Sequence, residues 1–282
     1  MQFAFFGSPW FAAIILDTLV ANGFVPSLVI CNPDRPAGRK KVLTAPAVKE
    51  RIINYKSGIR DKITILQPER LNPSQFSILN SQFDFFLVAT YAKIISEPIF
   101  TLPRLGTIVV HHSLLPRHRG PTPVQSTILS GDREAGTTLF LMDKKIDNGP
   151  ILAQRSLLID NRNYEELDKA LAELSGKTLV EILPDFLAGK ITPTPQDHTK
   201  ATFTKKFSTQ DACIDEKELS AAESGDKELA ILIDRKIRAL NPEPGTWTMK
   251  NGKRVKLLEA EIREGKLVLK KIQLEGKKPQ TI

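Results

Sequence analysis

The sequence predicts an α/β chain, a first domain on a mainly parallel sheet followed by a small β-rich domain. Three observations carry this. Apolar strand-like runs alternate with helix-period segments over most of the first 187 residues, and the opening strand, helix and strand (residues 2–6, 9 to about 22, and 24–31) form a β-α-β unit, whose strands lie parallel. The pattern then breaks in a polar stretch with Pro193 and Pro195. Beyond it, alternating runs at 246–249, 254–262 and 266–274 are separated by Asn251-Gly252 and Glu264-Gly265, which are hairpin signals. The expected boundaries are a first domain over 1–188, a linker over 189–205 and a second domain over 206–282.

In chain order, Gly7 closes the first strand. Ser8 is the expected N-cap of the first helix, with Pro9 at its first helical position. One glycine is not the three-glycine dinucleotide fingerprint, so neither a nicotinamide nor a flavin is expected. Residues 32–45, NPDRPAGRKKVLTA, read as a basic loop carrying Arg35, Arg39, Lys40 and Lys41. Such a loop at a strand's carboxyl end is either a solvated surface or a grip for phosphates. A helix over 46–55, a strand over 62–66, a helix near 73–80 and a strand over 84–89 follow.

The stretch GTIVVHHSLLPRHRG, residues 106–120, reads as a buried strand over 107–111 running into a polar, proline-bounded loop. His111 and His112 stand where strand becomes loop, and ligands of open α/β sheets bind outside the carboxyl ends of the strands. After a helix over 123–130 and a strand over 136–142, DKKIDNGP places Asp147 before a further strand over 151–158. A histidine and a carboxylate at two strand ends are a candidate catalytic pair. Residues 163–187 carry Leu167, Leu171, Leu174, Leu179, Ile182, Leu183 and Phe186 at helical spacing, which predicts a long amphipathic helix. Another helix is expected over 227–239.

Composition bounds the function. With 282 residues, 41% hydrophobic and 26% charged, the chain can bury a substantial core, and no apolar run reaches the length of a membrane span. The opening MQFAFFGSPWF reads as a strand and not as a signal peptide, so a cytoplasmic protein is expected. Cys31 and Cys213 are too far apart in sequence for a redox or metal knuckle, and four histidines show no metal-ligand spacing. A net charge of +8 favours an anionic partner such as a nucleic acid. From residue 241 onward ten Lys and Arg stand against five acids, so the tail holds most of that excess.

FFGSPWFA, NPDRPAGRKKVLTAPAVK, HHSLLPRHRGPTPVQ, MDKKIDNGPIL, TKKFSTQDACID and IRALNPEPGTW resemble, in order, the successive blocks of the methionyl-tRNA formyltransferase family. The resemblance runs from residue 3 to about residue 278. It implies a Rossmann-like formyltransferase domain followed by a small OB-like β-barrel domain that is short here. It further implies transfer of a formyl group from 10-formyltetrahydrofolate to the amino group of methionine on initiator tRNA, by a monomer and without a metal. By the same resemblance His111 and Asp147 are catalytic, Ser113, Leu114, Leu115 and Pro116 line the folate and formyl site, and Arg39, Lys40 and Lys41 belong to a loop that meets the tRNA acceptor stem.

Formyl transfer between two nitrogens must stabilise an oxyanion and take a proton from the attacking amine. His111 would serve both ends, with Asp147 orienting the ring and raising its pKa. The family's trio also has an asparagine two residues before the histidine, where this chain has Val109, roughly 7 Å from His111 on the same strand face. His118, Thr90 and Tyr91 are the side chains that could reach inward in its place. Two other readings remain open in the sequence: a sugar-nucleotide N-formyltransferase, and a catalytically impaired homologue that holds tRNA or folate.

Overall fold

The computed structural model describes residues 1–38, 40–72 and 83–282. Arg39 and the helix expected near 73–80 lie outside the described residues. The chain divides into two compact units: residues 1–119, 136–156 and 169–201, and residues 120–135, 157–168 and 202–282.

The first unit is organised by a seven-stranded sheet. In chain order its strands are β1 (Phe3–Gly7), β2 (Leu28–Ile30), β5 (Thr64–Leu66), β6 (Phe85–Ala89), β7 (Thr107–His111), β8 (Glu134–Leu141) and β9 (Ile151–Leu158). They lie in the order β5-β2-β1-β6-β7-β8-β9. The pairs from β5 to β7 are parallel and β8 runs antiparallel to β7. Because β1, β2 and β5 grow outward on one side and β6 and β7 on the other, the order reverses between β1 and β6. That reversal opens a crevice at the carboxyl ends of the central strands.

The central strands are apolar on both faces, which is what burial under helices requires of a parallel sheet. Phe3, Phe5, Val29, Leu87, Ile108 and Leu139 form one core with α1 (Trp10–Ala21) and the long helix Tyr164–Leu187. Phe6, Ile30, Phe86 and Val88 form a second core on the opposite face, with Val109 and Tyr91 packed against it. Gly7 sits where no side chain fits, since a Cβ there would lie 2.8 Å from Ala12 Cβ and 2.9 Å from the Ala89 carbonyl.

Local readings change in two places. Ser8 does not cap α1: Pro9 occupies the cap position, and Ser8 Oγ accepts the Asn32 N–H at 2.9 Å, which ties the turn after β1 to the end of β2. The basic stretch expected to be a loop contains a hairpin, β3 (Arg35–Ala37) with β4 (Val42–Thr44), in antiparallel register Arg35 to Thr44. Its strands are three residues long and exposed, too short for an alternating pattern to show. Asp34 anchors the base of the hairpin to Lys49 at 2.8 Å and to Gln67 at 2.7 Å. These hydrogen bonds, Gln67 before Lys49, hold the Asp34 carboxyl below its usual range.

In the second unit the C-terminal strands β10 (Trp247–Lys250), β11 (Lys253–Arg263), β12 (Lys266–Leu274) and β13 (Gln280–Thr281) form an antiparallel meander, the small β domain of the predicted fold class. Its core face (Val255, Leu257, Leu267) packs on Leu219, Ile233 and Ile237 of helices Glu216–Ser224 and Lys227–Leu240. The first of these helices escapes the sequence reading because it is short and weakly apolar. It is capped by Asp215, which accepts the Lys217 N–H at 2.8 Å. Among the described residues no helix is long and apolar enough to cross a membrane.

Candidate active site

β7 delivers His111 as its last residue, in register with Thr138 of β8, and the chain then leaves the sheet. The ring is buried, and its Nε2 lies 2.9 Å from the His118 carbonyl oxygen. A carbonyl only accepts, so Nε2 carries a proton in this arrangement. Nδ1 faces Asp147 Oδ2 at 3.7 Å. Burial holds the imidazole below its ordinary pKa, while the Asp147 charge and the bond to the His118 carbonyl act in the opposite direction. Burial is the larger effect. The expectation that Asp147 sets a raised pKa is therefore corrected: its charge only moderates the lowering, and a neutral ring presents the Nδ1 lone pair towards the carboxylate.

Asp147 sits in a turn that brings the chain back from β8 to β9, with φ at 48°, a left-handed conformation that aspartate tolerates better than most residues. Asp143 holds the start of the turn, accepting the Lys145 N–H at 2.9 Å and the Asn148 amide at 2.6 Å. Gly149 passes so close to the backbone of Leu141 that a Cβ would run into the Leu141 carbonyl, which explains the glycine two residues after the carboxylate. Within the stretch read as a linker, Thr194 pairs with Ile151, and the buried Gln196 donates to the carbonyls of Asp147 at 3.1 Å and Gly149 at 2.7 Å.

The loop predicted to line the folate site folds back on the strand that delivers it. Ser113 and Leu115 are buried, whereas Leu114 and Pro116 are half-buried and offer apolar surface. Ser113 Oγ donates to the Arg117 carbonyl at 2.6 Å. The fully buried Thr138 hydroxyl anchors the loop: it donates to the Ser113 carbonyl at 2.6 Å and accepts from Leu115 N at 3.1 Å and Gln154 Nε2 at 2.9 Å. Gln154 also donates to the Leu115 carbonyl at 2.7 Å.

The second histidine has a different role. His112 lies against Phe11, with ring centroids 4.2 Å apart, and Ser175 Oγ is 3.3 Å from its Nε2. Val109 is half-buried and packed against the second core, paired with Val88 and Phe140, and brings no polar atom. Of the side chains that could reach inward, Thr90 is exposed. Tyr91 sets its ring edge-on to Phe6 at 5.6 Å, and its buried hydroxyl has no hydrogen-bond partner among the described residues. Burial pushes that phenol up to about 12, so it keeps its proton.

Lys40 and Lys41 occupy the exposed turn of the β3–β4 hairpin. Arg35, at the base, is paired with Glu69 at 2.5 Å. Thr138, Gln154, Arg119 and Gln196 are residues of the site that the sequence reading missed. The polar pair Thr137-Thr138 inside an apolar strand is a signal for one of them. Gln196, between Pro195 and Asp197, has none.

Comparison with known proteins gives the family. Residues 1–183 match the Formyl transferase family and residues 227–266 match Formyl transferase, C-terminal domain. The chain thus belongs to the formyl transferase family. Among its relatives, methionyl-tRNA formyltransferase of Chloroflexus aurantiacus is 37% identical over 265 residues, 93% of this chain and 80% of that protein. The solved structure of methionyl-tRNA formyltransferase from Clostridium thermocellum shares the fold with a TM-score of 0.59 at 18% identity, covering 97% of each chain. An N-formyltransferase from Helicobacter canadensis, solved with folinic acid and dTDP-3-aminofucose, is similar at a TM-score of 0.65 and 16% identity, covering 98% of this chain and 96% of that one.

Proposed function

We propose that this chain transfers a formyl group from 10-formyltetrahydrofolate to the amino group of methionine on initiator tRNA, acting in the cytoplasm as a monomer. The observation that carries the chemistry is the His111–Asp147 pair, with Nε2 tied to a carbonyl and Nδ1 turned to the carboxylate at 3.7 Å. The relatives' name supplies the acceptor, because the fold is shared with a sugar N-formyltransferase and does not select it. Exposed lysines on the hairpin turn suit a polyanionic acceptor better than a small sugar.

In this reading Nδ1 is the general base. A gap of 3.7 Å is wider than a hydrogen bond, so an amine nitrogen beside the pair can donate to Nδ1 and lie against the carboxylate together. As the amine attacks, its proton passes to Nδ1, and the imidazolium gains the attraction of Asp147. The proton then leaves to the departing nitrogen. Bound folate supplies the formyl group as an amide already activated for transfer. Leu114 and Pro116 offer an apolar surface next to the histidine that fits a flat heteroaromatic donor, while Ser113 and Leu115 hold the loop in place. Val109 offers no donor to the oxygen on which charge builds, so the N–H formed on His111 Nδ1 carries that stabilisation.

Arg39, Lys40 and Lys41 are the proposed tRNA contacts. The test is a formylation assay with 10-formyltetrahydrofolate and either charged initiator tRNA or an amino-sugar nucleotide. Product from the tRNA, falling steeply with salt and lost in a variant with Arg39, Lys40 and Lys41 all changed to Ala, is the expected outcome. Product from the sugar nucleotide alone would refute the assignment of the acceptor. An unchanged rate in His111→Gln would refute the assignment of the base.

A further inference from the structure

Gln196 lies 49 residues beyond Asp147 and 77 beyond Arg119 in sequence, yet its one side-chain amide joins the two segments that supply the reacting pair. On the nitrogen side, Nε2 donates to the carbonyls of Asp147 and Gly149, at 3.1 and 2.7 Å. On the oxygen side, Oε1 accepts from Arg119 Nη2 at 2.5 Å and from Arg119 Nε at 3.2 Å. Arg119 directly follows His118, whose carbonyl takes the Nε2–H of His111. It also donates to Asn148 Oδ1 at 3.2 Å, inside the Asp147 turn.

Gln196 and Arg119 are both buried. Only an amide can donate two hydrogen bonds at one end and accept two at the other, which is what these four contacts ask for. Asp147 is also held at a left-handed φ, which surrounding contacts help to keep in place. The two bonds from Gln196 fall on the carbonyl of that residue and on the carbonyl two residues later.

We infer that Gln196 is a positioning residue for formyl transfer, an amide clamp that sets the spacing between the His111 ring and the Asp147 carboxylate without touching either reacting group. The inference rests on the reading of Asp147 as the carboxylate of the reaction. It assigns to the stretch 194–198, which by composition is only a tether, a part in building the site.

Gln196→Glu tests it. The change is isosteric and keeps both contacts to Arg119 as charge-assisted bonds, but it removes both N–H groups and turns a carboxylate oxygen towards two carbonyls. Misplacement of a reacting group by about 1 Å costs about 10²-fold in rate, so kcat is expected to fall by about 10² with KM for donor and acceptor unchanged within twofold. The imidazole pKa of His111, read by NMR in Gln196→Met, which adds no charge, is expected to move further down, because Asp147 raises it and would swing away, whereas the opposing His112 and His118 stay in place. Should Gln196→Glu fail to fold, Gln196→Met gives up the same donors without adding charge and is read in the same way.

Asp147→Asn is the control. A large loss of kcat in Asp147→Asn beside wild-type kcat in Gln196→Glu and an unmoved His111 titration in Gln196→Met would overturn the clamp. The same holds if Gln196→Glu loses activity only in proportion to its loss of folded protein. Full activity in Asp147→Asn would instead refute the catalytic reading, and the His111 titration would then decide on the clamp alone: a shift supports it and no shift overturns it.

Discussion

Thr138→Val should loosen the folate-facing loop with little change of shape. Valine replaces the hydroxyl by a methyl of similar volume, so no cavity opens, and the cost is one of hydrogen bonding. The Thr138 hydroxyl satisfies the Ser113 carbonyl at 2.6 Å and the Leu115 N–H at 3.1 Å, both in buried residues. Gln154 loses one acceptor but keeps the Leu115 carbonyl at 2.7 Å. Two orphaned backbone groups at about 1–2 kcal/mol each give roughly 2–4 kcal/mol. For a chain of this size, roughly 2–4 °C per kcal/mol implies a Tm lower by about 4–16 °C. Thermal unfolding by circular dichroism, with Thr138→Ser as the variant that keeps the hydroxyl, measures it. Hydrogen exchange at the Leu115 amide reports the same event locally, as a gain in exchange rate in Thr138→Val alone. A Tm within 1 °C of wild type in Thr138→Val, or equal losses in both variants, would refute the reasoning that this hydroxyl anchors the loop.

Three further outcomes are expected. Because burial lowers the His111 pKa in the folded chain, the unfolded chain, near 6.5, binds the proton first as pH falls. The stability from keeping the ring neutral is complete above about pH 6.5 and is lost as pH drops towards the folded value, at up to about 1.4 kcal/mol per pH unit; urea unfolding from pH 7 to 5 should show this slope in wild type and a shallower one in His111→Gln. Val109→Asn places a donor on the face of β7 that carries His111, and kcat in single-turnover formylation should rise at least tenfold, a floor set below the roughly 10²–10³ that a well-aligned oxyanion donor is worth; an unchanged kcat would show that another group already does the work. The Cys31 thiol is buried and pushed up to about 11, mainly by desolvation, so in native protein at pH 8 a thiol reagent should label Cys213 and spare Cys31, with both reacting once the chain is unfolded.

Much of this protein is legible in its sequence where the signal is local. The β-α-β opening, the long helix, the hairpin signals of the second unit and the placement of His111 at a strand end all follow from periodicity and turn residues within a dozen positions. Asp147 is legible for the same reason, standing just before a strand, whereas its positive φ and the close pass of Gly149 on Leu141 belong to the structure. The choice of His111 over His112 comes from the resemblance, and in the structure His112 packs on Phe11. Short elements are the exception. The three-residue strands of the basic hairpin are too brief for alternation to appear, and the capping role expected of Ser8 is displaced by a contact with Asn32, 24 residues away.

What only the tertiary structure decides is which distant polar groups satisfy the backbone that these local elements leave open. The loop after β7 is buried against the sheet, so its carbonyls and amides need partners, and they are supplied by Thr138 and Gln154 across 23 to 39 residues of sequence. The carbonyls of the Asp147 turn are supplied by Gln196, out of a segment whose composition reads as a tether. The protonation state of His111 is of the same kind: the neighbouring carboxylate is visible in the sequence and argues for a raised pKa, whereas the larger opposing effect, burial of the ring, exists only once the chain has closed around it. Periodicity and turn chemistry are properties of neighbouring residues, while desolvation and hydrogen-bond satisfaction are properties of whatever the fold brings together.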